Sequence, residues 1–228
     1  MQPCAVAQSL DESGVEQRYE ELEKLVTDED PVSKVNLFAY VYEHEDVLPD
    51  QRAHALTLLG EAAGSGLPVA QYDLGSMYYN GSWLEQDKET ALAWYMMAAK
   101  GDFLKAQITA GDVLYELALG KKDTNLRQQY INSSIYWLLR ARSNTSSSDQ
   151  DGLRIDALLA RSLLYQSPSN PKFWKYEKSI ACKGSEEAIR NWKIDYDLVV
   201  KRAGEGDEEA KRLLTILGSK EFDICDLD

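Results

Sequence analysis

The sequence predicts an all-α protein, built as a solenoid of tandem helix-turn-helix repeats. The segment Val69–Tyr79 reappears 36 residues later as Lys105–Tyr115, with Ala, Gln, Gly and Tyr in the same register. A second segment, Trp94–Ala99, is echoed 42 residues later by Tyr136–Ala141. A third copy of the first segment has Ser162 where the earlier copies have glycine. Recurrence at this spacing, without convincing strands, is typical of helical repeat proteins.

Each unit is predicted to hold two antiparallel helices. Ala70 and Gly75 are small enough to let a neighbouring helix approach closely. Gly81 follows the first helix, where a left-handed cap is favoured, and Asp87 precedes the second helix as its N-cap. After Asp87, apolar residues recur at three-to-four spacing, which indicates the second helix.

The periodic pattern extends over most of the chain and predicts a single domain. We expect this domain at residues 11–218, between an N-terminal segment at 1–10 and an acidic tail at 219–228. The joint Ala63–Gly66 recurs as Ala203–Gly206, so the same turn is expected near both ends. Helices are predicted at residues 15–26, 32–44, 50–63, 69–80, 88–100, 104–119, 125–143 and 152–166 and, after a proline-rich break at 167–171, at 173–182, 185–203 and 208–217.

Negative charge is concentrated at the start of the chain. The net charge is −13, and residues 1–50 carry 13 acidic and 3 basic side chains. Such a balance repels phosphate backbones and anionic lipid headgroups, so we expect a basic protein as partner and neither nucleic acid nor membrane. The alternative is that the acidic residues only keep an exposed first helix solvated. No stretch approaches the roughly 18 consecutive apolar residues of a membrane helix, so membrane insertion is not expected.

The N-terminus and the cysteines bear on where the protein works. Ala5–Ala7 has the small-x-small pattern of a signal cleavage site, and Cys4 could carry a lipid anchor. Either feature would place the chain outside the cytoplasm. The alternative is a disordered N-terminus without function. Cys182 and Cys225 then form a candidate disulfide pair, with two buried free thiols as the alternative.

Residues suited to catalysis or metal binding are scarce. The two histidines, His44 and His54, fall in different predicted helices. The run Glu43–Asp46 contains metal-ligating residue types, but adjacent residues on a helix point in different directions, which favours a solvated helix end. We therefore expect no enzyme activity, no metal and no cofactor.

The first helix of each pair carries tyrosines beside carboxylates. Residues between the small core positions are expected to point away from the second helix and to form a partner-binding surface. Such side chains suit a partner with exposed Arg or Lys, through aromatic packing, cation–π contact and charge-assisted hydrogen bonds. The alternative is that the tyrosines complete the packing between repeats. The candidate residues are Tyr40, Glu43, Tyr72, Asp73, Ser76, Tyr79, Asp112, Tyr115 and Glu116.

The segment Ala70–Gly101 resembles a Sel-one-like repeat, a relative of the tetratricopeptide repeat. It departs from the family pattern at Ser82 and Trp83, where loop residues differ and a glycine is expected at Trp83, and at Thr90, where lysine is common. Degenerate copies cover about 53–69 and 106–141. The shared positions, in the family's order and spacing, are Ala70, Leu74, Gly75, Tyr78, Gly81, Leu84, Asp87, Ala91, Trp94, Tyr95, Ala98, Ala99 and Gly101.

The resemblance implies a right-handed superhelix of helix pairs whose first helices line a concave, protein-binding surface. Similar bacterial proteins serve as adaptors, as secreted or periplasmic interaction modules, and as immunity proteins. The last class blocks toxic effectors, phospholipases among them, that a neighbour's secretion system, such as type VI, delivers. We therefore expect a periplasmic immunity protein that binds and blocks an effector. The alternative is an extracytoplasmic scaffold or adaptor without an inhibitory role.

Overall fold

The computed structural model describes residues 11–145 and 150–166, together with residues 200, 201, 204–206, 208 and 211. The chain divides into two compact units, residues 1–103 (unit 1) and residues 104–228 (unit 2), and each is described by itself. The predicted single domain over 11–218 stays a prediction. Outside the described residues lie Cys4, Cys182 and Cys225, the segments 1–10 and 219–228, the proline-rich break and most of the three helices predicted after it.

Helices form all the extended regular structure in the described part of the chain. Unit 1 contains α1 (Glu12–Glu23), α2 (Pro31–Glu43), a 3-10 turn (Pro49–Gln51), α3 (Arg52–Gly64), α4 (Pro68–Asn80) and α5 (Lys88–Lys100). Unit 2 contains α6 (Leu104–Gly120), α7 (Thr124–Ser143) and α8 (Gln150–Gln166). Consecutive helices pack on one another within each unit, as a row of helical repeats requires.

Aspartate side chains begin several of these helices. Each accepts a hydrogen bond, 2.7–3.3 Å long, from a backbone N–H of the first helical turn. The bond satisfies a donor that the helix itself leaves unpaired, and the carboxylate complements the helix dipole. The N-cap predicted at Asp87 is thus confirmed. The four caps are Asp11 for α1, Asp30 for α2, Asp87 for α5 and Asp123 for α7.

Glycines end helices and form the joints between them. Gly81 caps α4 with φ 71°, so the left-handed cap predicted there is confirmed. Gly66 and Gly206 have nearly the same backbone angle, with φ of 93° and 98°. The turn predicted to recur near both ends of the chain therefore does recur at these two glycines.

The helices α4 and α5 form an antiparallel pair. The middle of α4, at Gly75, lies against Tyr95 in the middle of α5, while Pro68 at the start of α4 lies against Gly101 just after α5. A Cβ atom at Gly75 would stand 2.9 Å from Cδ1 of Tyr95, so glycine is what allows this approach. Ala70 is also fully buried. The close helix packing predicted from Ala70 and Gly75 is confirmed.

The first four helices of unit 1 share an apolar core. This core joins α1 to α4, and its fully buried side chains include Leu37, Leu59 and Ala62. Lys34 of α2 is also buried, and its Nζ pairs with Oε2 of Glu61 on α3 at 2.6 Å. The pair neutralises a buried ammonium group and ties α2 to α3.

Unit 2 repeats the arrangement around its own apolar core. A Cβ at Gly111 of α6 would stand 2.6 Å from Cγ of Leu138 on α7, so this glycine serves as Gly75 does in unit 1. The Ser134 hydroxyl of α7 donates to the carbonyl of Gly111 at 2.6 Å and lies 3.1 Å from the hydroxyl of Ser162 on α8. The serine that replaces glycine in the third copy therefore finds a buried hydroxyl partner.

Pair contacts also fix the directions of the helices in unit 2. The helices α7 and α8 run antiparallel, because Gln166 reaches Asn132 while Asp156 reaches Arg142. The first helices of successive pairs, α6 and α8, run parallel. Asp112 and Tyr115 of α6 meet residues of α8 that lie 49 and 50 positions later in the chain, in the same order. A hairpin, α6 and α7, followed by a helix that packs parallel to the first one, is the geometry predicted from the repeats.

The bounds of two predicted helices were wrong near the N-terminus. Helix α1 begins at Glu12 and ends at Glu23, three residues before both predicted limits, because Asp11 caps it by accepting from the backbone N–H of Gly14. The helix predicted from residue 50 begins at Arg52, because Pro49–Gln51 form a tighter 3-10 turn first. The bounds of α5 agree with the prediction.

Candidate functional site

Three of the candidate residues of α4 contact Tyr95 of α5. Its centroid lies 5.3 Å from that of Tyr72 and 6.4 Å from that of Tyr79, and its hydroxyl donates to Ser76 Oγ at 3.2 Å. The prediction that these three side chains point away from the second helix is therefore wrong. The ring of Tyr95 fills the space that Gly75 leaves open, and the neighbouring rings lean against it.

The tyrosine cluster on α4 and α5 is only partly open to solvent. Tyr95 is 2% exposed, and burial raises the pKa of its hydroxyl to about 12. Tyr72 also meets the edge of Phe103 at 5.4 Å, and Lys88 Nζ lies over the ring of Tyr79 at 5.3 Å. Asp73 is half-buried beside them. A partner-binding role for these residues stays a prediction, because their rings already serve the packing of the repeat.

The candidate residues of α6 meet a cation from their own unit. Arg161 of α8 pairs with Asp112 at 2.6 Å, and its guanidinium lies 4.1 Å from the centroid of Tyr115. Tyr165 packs against the edge of Tyr115. Glu116 is half-buried on the same helix. This surface of unit 2 therefore already holds the kind of charge that was expected to come from a partner.

The two candidate residues of α2 differ in their surroundings. The hydroxyl of Tyr40 donates to the backbone carbonyl of Val15 at 3.1 Å, and its ring lies 4.3 Å from that of His44. Burial raises the pKa of Tyr40. Glu43 is exposed. Tyr40 thus joins α1 to α2, whereas Glu43 remains available at the surface.

A cavity that the sequence did not predict lies beside α1. It measures about 360 Å³, and its buried lining includes Tyr19 and Leu48. Four exposed carboxylates also line it: Glu16, Glu20 and Glu23 of α1 and Asp50 of the 3-10 turn. Burial, together with a hydrogen bond and the charge of Glu23, raises the pKa of Tyr19 to about 12. We call this cavity the acidic cleft.

One part of the acidic cleft had a signal in the sequence. The three glutamates recur at positions i, i+4 and i+7, which places them on one face of a helix. The other wall, residues 47–51, follows α2 in the chain, and no periodicity connects it with α1. Only the packing of α1 on α2 brings the two walls together.

The net charge of the protein belongs to unit 1. Residues 1–103 carry nineteen acidic and six basic side chains, a net charge of −13, whereas residues 104–228 carry nineteen of each. The imbalance seen at the start of the sequence is therefore confined to the unit that holds the acidic cleft.

A second site in unit 1 surrounds Trp83, in the loop between α4 and α5. Its indole Nε1 donates to Glu45 Oε2 at 2.7 Å, and its ring packs against Phe38 at 5.8 Å and Tyr42 at 5.2 Å between centroids. The guanidinium of Arg52 lies 5.7 Å from the ring and pairs with the same Glu45 oxygen at 3.3 Å. We call these five residues the Trp83 cluster.

The described residues form neither a metal-binding cluster nor a membrane-spanning helix. No group of three or more His, Cys, Asp or Glu side chains among them is arranged to hold a metal ion. In the run Glu43–Asp46, Glu45 is engaged with Trp83, and the Nδ1 atom of His44 lies 2.9 Å from the carbonyl of Tyr40. No helix in this part of the chain has both the length and the apolar character needed to cross a bilayer.

Comparisons with known proteins agree with the repeat pattern. The family model described as Sel1 repeat matches residues 68–103, which contain α4 and α5. A curated relative, chitin synthase regulatory factor 3 of Schizosaccharomyces pombe, is 37% identical over 86 residues. That match takes in 38% of this chain but 9% of the fungal protein, so the chain spans a small part of that relative.

A solved structure extends the likeness beyond one repeat. The crystal structure of a Sel1 repeat protein from Oxalobacter formigenes covers 89% of this chain and 78% of its own, with a TM-score of 0.51 and 22% identity. This likeness concerns the fold, and it confirms the predicted all-α solenoid of helix-turn-helix repeats. Residues 68–103 therefore match a Sel1 repeat, and the chain has a helical fold like that of a solved Sel1 repeat protein.

Proposed function

We propose that the chain is a protein-binding module whose unit 1 receives a basic segment of a partner protein. The observation that supports this proposal is the acidic cleft, an open cavity with four carboxylates in the unit that holds the entire net charge. The chain would act by binding rather than by catalysis. A Sel1 repeat fold supports the general role in protein contacts.

The chemistry of the acidic cleft selects a cation. Glu16, Glu20, Glu23 and Asp50 place like charges around one space, and a positive side chain there would be attracted by all four at once. The buried ring of Tyr19 and the side chain of Leu48 offer apolar surface to the methylene stem of a lysine or arginine. The field of the whole unit would also speed the approach of a basic partner.

Binding of a basic peptide to the full-length chain tests the proposal. The probe is a fluorescently labelled octapeptide of alternating arginine and glycine, followed by anisotropy. The triple variant Glu16→Gln, Glu20→Gln, Asp50→Asn should bind it about 3- to 150-fold more weakly, since exposed charge pairs contribute about 0.2–1 kcal/mol each. Raising NaCl above about 0.5 M should weaken binding to the wild type, because screening shortens the reach of each charge.

A matched triple variant controls for net charge. Asp28→Asn, Glu29→Gln, Glu85→Gln removes three exposed carboxylates of the same unit that do not line the cavity. Its affinity should fall clearly less than that of the cleft variant. Equal losses of affinity in the two variants would show that the peptide does not bind at the cleft. A wild-type chain that does not bind the peptide at low salt would contradict the proposal itself.

Narrower roles remain predictions that build on this one. The fungal relative is named a regulatory factor, which supports a role in controlling a partner's activity. The roles expected from the resemblance were a periplasmic immunity protein against an effector, or an extracytoplasmic scaffold. Capture of the partner from the native cell, followed by an assay of its activity at saturating amounts of this chain, separates them. A partner that keeps full activity contradicts the immunity role.

A further inference from the structure

We infer that the Trp83 cluster is a receptor for an arginine side chain of the partner, and that the chain's own Arg52 occupies it in the free protein. The inference rests on the proposed function, because it concerns the same basic partner of unit 1. It adds a second contact, outside the acidic cleft, and a competition between a residue of the chain and a residue of the partner.

The cluster has the two features that a guanidinium group binds best. The indole ring of Trp83 offers an aromatic face, and Glu45 offers a carboxylate at its edge. Phe38 is buried and packs edge-on against the indole, which holds the ring in place. Tyr42, 40% exposed, adds a second aromatic ring 5.2 Å from it.

Arg52 shows which kind of ligand the cluster accepts. Its guanidinium lies 5.7 Å from the ring centroid and 3.3 Å from Glu45 Oε2, so it makes both contacts at once. Both contacts are long, and the side chains of Arg52 and Glu45 are 44% and 43% exposed. Such an exposed ion pair is weak. A partner's arginine, brought close by the charge of unit 1, can therefore take its place.

The backbone at Trp83 supports a role beyond packing. Its φ is 61°, in the left-handed region that glycine adopts readily and large residues rarely do. Strained residues of this kind persist where the surroundings fix them, and they concentrate at ligand-binding positions. The neighbouring residues 47–51 of the chain line the acidic cleft and lie between Glu45 and Arg52. The two sites thus share one short stretch of sequence.

The test compares two arginine variants of the full-length chain with the same arginine–glycine octapeptide. Arg52→Ala empties the cluster, whereas Arg18→Ala removes another exposed arginine of unit 1 that pairs with a single glutamate, Glu21, at 2.9 Å. Both change the net charge from −13 to −14. Arg52→Ala should bind the peptide about three- to tenfold more tightly than Arg18→Ala, since the competing contacts are an exposed cation–π pair and an exposed ion pair.

A double variant then checks that the ring is the receptor. Trp83→Gly removes the indole and suits the left-handed backbone, so the loop can keep its course. Added to Arg52→Ala, it should abolish the gain in affinity. A gain that survives in the double variant would overturn the inference, and so would Arg52→Ala and Arg18→Ala binding equally.

These outcomes separate the inference from the proposed function. If the wild-type chain binds the peptide and the cleft variant loses that binding, but Arg52→Ala gives no gain over Arg18→Ala, the inference fails and the proposed function stands. If neither the wild type nor Arg52→Ala binds the peptide at low salt, both are overturned.

Discussion

The indole nitrogen of Trp83 donates a hydrogen bond to Glu45 at 2.7 Å, and this bond ties the loop between α4 and α5 to the segment that follows α2. The same residue holds a backbone angle, φ 61°, that a side chain disfavours. The loop therefore gains the contacts of the indole at the cost of backbone strain. The two effects can be measured separately by changing the side chain in two ways.

Trp83→Ala should be less stable than Trp83→Gly by about 1 kcal/mol. Both variants lose the indole and its hydrogen bond, but only alanine keeps a Cβ in the left-handed region. Urea denaturation of the two variants measures the difference. An alanine variant as stable as the glycine variant would mean that the loop relaxes out of the left-handed conformation.

Gly75→Ala should destabilise the protein by about 1–3 kcal/mol, because the added methyl group overpacks the contact between α4 and α5. Its Cβ would stand 2.9 Å from the ring of Tyr95 and 3.2 Å from the carbonyl of Ala91. Gly60→Ala in α3 is the control, since nothing lies within 4 Å of the added atom. That change should stabilise the protein by up to about 1 kcal/mol, because alanine favours the helix more than glycine does. The same sign of effect at both positions would contradict the predicted role of Gly75.

Asp87 should make the stability of the protein depend on pH in the acid range. Hydrogen bonds from the hydroxyl and the backbone N–H of Thr90 hold the pKa of Asp87 below its ordinary value of 3.8. A lowered pKa contributes stability above the unfolded-state pKa, and this contribution is lost as pH falls through the folded-state pKa. Asp87→Asn keeps a capping oxygen but no charge. The melting temperature of the wild type should therefore fall relative to that of Asp87→Asn below about pH 4, and parallel curves would exclude this linkage.

Replacing Arg142 alone should lower the free energy of unfolding more than replacing Arg142 and Asp156 together. Arg142 Nε donates to Asp156 Oδ1 at 2.6 Å, and Asp156 is 1% exposed, so the single variant Arg142→Met leaves a buried carboxylate without its cation. We expect a loss of about 3–5 kcal/mol for that variant, and a smaller loss for Arg142→Met combined with Asp156→Ala. Chemical denaturation of these two variants and of the single variant Asp156→Ala measures this. Losses that simply add would show that the two residues do not interact.

Local signals in the sequence predicted much of the repeat that contains α4 and α5. The end of α4 at Gly81 and the start of α5 at Asp87 depend on residues with strong preferences for those positions, and both were predicted. The close approach at Gly75 followed from the small size of that residue. Structural features that depend on one residue type at one position could thus be predicted from the sequence.

Side-chain directions were harder to predict, as Tyr72 and Tyr79 show. A helical wheel gives the direction of a Cβ atom, but a tyrosine ring extends several ångströms farther and turns toward the best contact. The ring of Tyr95, seated over Gly75, offered that contact. Cβ directions therefore predict an open surface on α4 where the two rings instead pack against Tyr95.

The acidic cleft and the Trp83 cluster depend on contacts between distant parts of the chain. Glu45 and Trp83 are 38 residues apart, and neither lies at a repeated position that pairs it with the other. The resemblance to a family pattern did mark Trp83, because a glycine was expected there. It could show that the residue is unusual, but not that Glu45 and Arg52 contact it.

The parallel course of α6 and α8 has a consequence for how damage spreads through unit 2. Asp112 and Tyr115 contact α8 at residues displaced by about the same number of positions, so α6 meets α8 through a lateral contact between parallel helices. In an array of this type, each helical unit stabilises only the units that contact it directly. A destabilising change in α6 therefore loosens α7 and α8, the two helices of unit 2 that pack against it in the described part of the chain.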